Sequence, residues 1–218
     1  MSNFRSNTLT QKHQVSAGMF NFIIGIVLLY GFALNWYIVE TIPVDSIKAI
    51  NPWLFFGGYF VSCMAGVFLF NGSKNPLISF LGYNLVVVPF GLVVSLIVSD
   101  YSTDIVVKAM QATTMVTVGM MFVATIFPSF FKSIGSALFW ALLISIVVEL
   151  LMIFVFKQKL SVIDWIVALI FCGYIGFDWA MANSVERTFD NAVDSAAELY
   201  MDIINLFVRI LSIMGKKN

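Results

Sequence analysis

ELYMDIINLFVRILS, residues Glu198 to Ser212, is apolar enough for a membrane helix and yet carries Asp202 near its middle and Arg209 beyond it. At about 100° per residue, Glu198, Asp202, Asn205, Arg209 and Ser212 fall on one stripe, with Leu199, Ile203, Leu206 and Ile210 around it. A polar stripe on a helix that must also satisfy lipid can face only a protein interior or a water-filled path. This helix is therefore expected to be central, with the other segments wrapped around it.

The composition agrees with a membrane setting. Hydrophobic residues make up 60% of the 218 and charged residues 11%, against roughly 45–50% and about 25% in soluble domains. The 12 basic and 12 acidic residues cancel, which gives no electrostatic argument for a nucleic-acid partner. Residues 1–16 form a polar tail. The apolar run that follows is longer than the roughly 7–15 residues of a signal-peptide core, so it is expected to be a retained first span.

Seven apolar runs lie near the roughly 20 residues needed to cross a bilayer: 17–39, 52–71, 76–98, 105–127, 134–156, 160–182 and 196–214. Short connections make neighbours in sequence antiparallel neighbours in space. The expectation is an all-α integral membrane protein, one domain over 1–218, with six helices around the C-terminal one. Asn51-Pro52 and Asn75-Pro76 each put a capping residue before a proline at the first helical position. Pro43 and Pro128 close the first and fourth runs, whereas Pro89 lies inside the third and should release the carbonyl of Leu85. Trp36, Trp53 and Trp165 sit at run ends, as interfacial anchors do. Lysine and arginine divide almost evenly between the two sides, so no orientation follows. A re-entrant last segment, which would move Lys216 and Lys217 across, stays an alternative to a seventh crossing. Cys63 and Cys172 read as small buried hydrophobes, and the methionines of the fourth run as adaptable packing.

Charges inside the runs are few: Glu149, Asp178, Asp202 and Arg209, with Asp164 near an end. A charge at a helix centre costs roughly 2.5–3.5 kcal/mol on insertion scales, so each needs a partner or a function. Asp178 lies four residues before the end of the sixth run and Asp202 six after the start of the last. At 1.5 Å per residue both sit roughly 6–9 Å in from one membrane face. Gly173, Gly176 and Ala180 recur on the sixth run with the spacing that lets helices approach closely in lipid. Two carboxylates about 4 Å apart repel by roughly 4 kcal/mol at an effective dielectric near 20. The pair is therefore expected to hold one proton between them and to titrate as a unit. Fully ionised, its oxygens are hard ligands suited to calcium. The alternative is that the aspartates merely satisfy backbone groups or Arg209. Glu149 reads equally as a pathway residue or as a neutral, hydrogen-bonded acid, and Asn205 and Glu198 as supporting residues.

LYMDIINLFVRIL at Leu199 to Leu211, GYIGFDWA at Gly173 to Ala180 and the seven-run layout resemble the Bax inhibitor-1 family in its bacterial branch. The resemblance implies seven helices with the last enclosed, and a pH-dependent calcium leak in a bacterial cell membrane governed by an aspartate pair, here Asp178 and Asp202. Its implied partners are the bilayer, calcium ions and protons, with no resident cofactor. Family members also resemble one another in a second-helix arginine, which the run PWLFFGGYFVSCMAGVFLFN lacks. Other readings are a proton-coupled transporter, a membrane interaction protein, or an intramembrane aspartyl protease, whose GxGD and PAL motifs are missing. An enzyme is not expected: His13, the single histidine, lies in the polar tail, which removes a Ser-His dyad and a multi-histidine metal site.

Overall fold

The computed structural model describes residues 14–158 and 161–215. His13 and most of the polar tail, Leu160 at the expected start of the sixth run, and Lys216 and Lys217 lie outside the described residues. Among the described residues the chain forms nine helices and no strand: α1 (Ala17–Thr41), α2 (Val44–Lys48), α3 (Pro52–Gly72), α4 (Pro76–Val98), α5 (Thr103–Ile126), α6 (Pro128–Ser133), α7 (Gly135–Phe154), α8 (Ser161–Ala182) and α9 (Phe189–Met214). Capping residues begin several of them. Ser16 accepts from the Met19 amide at 3.2 Å, Asn51 from Trp53 at 2.9 Å and Asn75 from Leu77 at 3.0 Å. Pro43 and Pro128 do end the preceding runs, but Pro43 also caps a short helix, α2, and Pro128 begins another, α6, neither of which the apolar pattern foretold.

Helices α1, α3, α4, α5, α7 and α8 are long and apolar enough to cross a membrane. The chain is a multi-pass, all-α membrane protein. Helix α9 is long enough but is not among the six, because Asp190, Asp194, Glu198, Asp202 and Arg209 dilute its apolar content. It also begins at Phe189 rather than near Ala196. The Thr188 hydroxyl accepts from the Asn191 amide at 3.1 Å, and Asp190 lies in the first turn, where a negative charge is favoured. No residue from Asp190 to Ile213 is exposed, whereas on α7 only Ser145 is buried.

By chain contacts the molecule divides into two compact units. One comprises the residues up to Leu96 with Ser184–Glu198, and the other Ile97–Asn183 with the residues from Leu199 onward. In the first, α4 supplies the core residues Tyr83, Val86 and Val87, all fully buried, and the Tyr83 hydroxyl donates to the Val27 carbonyl at 3.0 Å. Helices α3 and α4 touch backbone to backbone. A Cβ at Gly66 would stand 2.5 Å from the Gly82 carbonyl oxygen, and one at Gly82 would stand 2.7 Å from that of Gly66. Pro89 lies inside α4 as expected, and the Ser62 hydroxyl of α3 donates to the Leu85 carbonyl at 2.7 Å. That side chain supplies the hydrogen bond that the proline nitrogen cannot.

In the second unit, α8 packs on α5, α6 and α7. Its small residues do not serve an approach to α9. Gly176 accommodates the ring of Phe131 on α6, and Gly173 the Leu138 side chain of α7, where a Cβ would come within 2.6 Å. Ala180 completes a cluster with Ala124 and Phe131, against which Met120, Ile134 and Trp179 pack. The small-residue spacing thus seats large side chains rather than a helix backbone. Met120 packs as expected, but Met110 and Met115 are exposed. Trp36, Trp53 and Trp165 are exposed at helix ends, and Cys63 and Cys172 are free and half-buried rather than fully enclosed.

Candidate functional site

Asp178, one turn before the end of α8, and Asp202 on α9 bring their carboxyl groups within interaction range of each other. An ionised carboxylate can only accept, so two carboxyl groups can hydrogen-bond to each other only when one carries a proton. Asp202 is 7% exposed and Asp178 half-buried. The Tyr174 phenol, one turn earlier on α8, is near enough to interact electrostatically with both. Among the described residues no group of three or more histidine, cysteine or acidic side chains converges to hold a metal. Two carboxylates supply at most four oxygens of the six to eight that calcium takes.

Arg209 does not serve this pair. Its Nη1 and Nη2 donate to Glu149 Oε1 and Oε2 on α7 at 2.9 and 2.8 Å, and Nη1 also donates to Asp164 Oδ1 on α8 at 3.0 Å. The Ser212 hydroxyl donates to Asp164 Oδ2 at 2.9 Å. Of the two sequence-based readings of Glu149, the neutral, hydrogen-bonded acid is replaced by one side of a forked pair with Arg209. The alternative in which Arg209 satisfies the aspartate pair is not the arrangement seen. Asn205 donates to the Met201 carbonyl of its own helix at 2.7 Å, and Glu198 is half-buried in the first unit. The sequence had suggested no partner for Asp164 or Ser212. Their signal was positional: in antiparallel runs, Glu149 near the end of the fifth, Asp164 near the start of the sixth and Arg209 near the end of the last share one side.

A second acidic pair, not singled out from the sequence, lies in the first unit. Asp190 Oδ1 accepts from the Ser79 hydroxyl of α4 at 2.7 Å. Asp194, a turn later and ahead of the apolar run, has its carboxyl pushed up to about 7, first by burial and then by the charge of Asp190, with Ser79 opposing.

Residues 12–218 match the family model described as Inhibitor of apoptosis-promoting Bax1. The chain belongs to the Bax inhibitor-1 family. Family relatives include Protein LIFEGUARD 4 of Arabidopsis thaliana, 40% identical over 86 residues, which are 38% of this chain and 34% of that protein. An uncharacterized Helicobacter pylori protein is 34% identical over 84 residues, 38% of this chain and 36% of its own. A Campylobacter jejuni one is 27% identical over 128 residues, 58% and 54%. The chain spans about a third of the length of the first two. In this Bax inhibitor-1 protein α3 carries no basic residue, and Arg209 is bound to Glu149 and Asp164.

Proposed function

We propose that this Bax inhibitor-1 protein is a pH-sensitive calcium leak, with Asp178 and Asp202 as a latch that a shared proton closes. The observation that carries this reading is that Asp178 of α8 and Asp202 of α9 face each other, near enough for their carboxyls to hydrogen-bond when they share a proton. Loss of the shared proton turns that bond into repulsion of roughly 4 kcal/mol at an effective dielectric near 20, enough to push the facing helices apart. The separated carboxylates then present hard oxygens to a calcium ion in transit, so proton and calcium compete for one place. The setting proposed is a bacterial cell membrane, with calcium as cargo.

The test is calcium flux into liposomes across a pH series. Wild-type flux is expected to vary with pH. Asp178→Asn with Asp202→Asn, whose amides hydrogen-bond without titrating, is expected to make it flat. Flux indifferent both to pH and to these substitutions sinks the proposal, and substrate-dependent proton uptake in its place would assign a transporter.

A further inference from the structure

Helices α8 and α9 are joined at two levels within one unit. At one, Asp178 meets Asp202; at the other, Asp164 receives Arg209 and Ser212. Between the two levels α8 descends ~21 Å, from 178 to 164, while α9 ascends ~15 Å, from 202 to 212, at 1.5 Å per residue. The two helices therefore run antiparallel, and the side chains close the remaining difference. Asp202 and Arg209 are seven residues apart, about 20° short of two full turns, so they share one face of α9. A helix held at one point still rotates about its axis. Held at a second point by a planar fork, it does not.

The second level is fully engaged. All four oxygens of Glu149 and Asp164 receive a bond, three from the guanidinium and one from Ser212. Lysine, a compact point charge without a fixed plane, cannot reproduce that geometry.

We infer that Arg209 is a positioning residue for the aspartate latch: bound by Glu149 of α7 and Asp164 of α8, it sets the rotation of α9 that turns Asp202 toward Asp178. This rests on the latch reading above for its functional meaning, but the geometric claim stands separately. The Tyr174 phenol is near enough to interact with both aspartates, while Glu149 and Asp164 face Arg209.

Two measurements on the full chain test it. In a background with Cys63 and Cys172 replaced by alanine, Asp178→Cys with Asp202→Cys reports the facing of the two positions through its rate of capture by a short thiol-bridging reagent. Arg209→Gln is expected to slow bridging several-fold and Arg209→Lys to slow it less. A control cysteine pair at Thr125 and Trp179 is expected to be unaffected. In liposomes, with both aspartates intact, Arg209→Lys is expected to move the midpoint of the flux-pH curve toward lower pH, because a misaligned pair holds its proton less well. A shift of about one unit is the ordinary scale of environmental effects on carboxyls. Should Arg209→Gln fail to fold, Ser212→Ala and Asp164→Asn replace it and are expected to act in the same direction. Folded variants with wild-type bridging rates and a wild-type pH curve overturn the inference. Slowed bridging with no pH-dependent flux in the wild type keeps the positioning and refutes the latch instead.

Discussion

Replacing Gly176 by alanine probes the surface on which α8 is seated. The added methyl falls on the ring carbons of Phe131, nearer than real Cβ contacts come, and Phe131 is itself 4% exposed, packed against Ala124 and Ala180. Neither partner has open space, so the ring must leave its rotamer or α6 must move, at about 1–3 kcal/mol for an overpacked site. Phe131→Ala alone removes the ring and leaves a cavity, at about 3–5 kcal/mol. Combined, the two changes partly cancel, because the methyl added at position 176 enters the space the ring vacated. The double variant is expected to be at least ~1 kcal/mol more stable than the sum of the singles, beyond the roughly 0.3–0.5 kcal/mol scatter of independent sites. Equilibrium unfolding of the four proteins in mixed micelles measures this coupling. Additive effects, or a Gly176→Ala protein as stable as wild type, would refute the close seating of α6 on α8.

Ser62→Ala leaves the Leu85 carbonyl without its donor and is expected to cost about 1–3 kcal/mol. Pro89→Ala restores an amide at that turn, so the cost of Ser62→Ala is expected to largely vanish in the Pro89→Ala background, as read by the same unfolding assay. Asp194 gives a pH signature. Its folded value of about 7 lies above the ordinary 3.8, so between these limits the folded state binds the extra proton, and stability falls as pH rises from about 4 to about 7. Asp194→Asn is expected to flatten that slope, with its melting temperature gaining on wild type between pH 5 and pH 7.5; parallel curves would count against it.

Much of the architecture was legible because lipid permits few solutions. Runs near 20 apolar residues have to be helices, and Asn-Pro pairs and interfacial tryptophans marked their ends. The aspartate pair was legible for the same reason: two acids at matching depth on consecutive antiparallel runs have few places to go. What escaped depended on polar groups acting locally or through length. The early start of α9 was hidden because an apolar run was sought where a threonine cap and a first-turn aspartate do the work. The partner of Arg209 was hidden because a long flexible side chain reaches across a turn or more, and helical periodicity places Cα atoms, not guanidinium groups. The glycines of α8 misled for a related reason: small-residue spacing signals a recess, but not whether a backbone, a phenyl ring or a leucine fills it.

The contact between α3 and α4 bears on how the chain is made. Three residues, Ser73 to Asn75, separate the two helices, and their touching glycines and the Ser62 bond need no partner from later in the sequence. A growing chain can therefore complete this hairpin while the insertion machinery still holds the remainder. It would enter the bilayer as a preformed pair, with the carbonyl exposed by Pro89 never left bare to hydrocarbon.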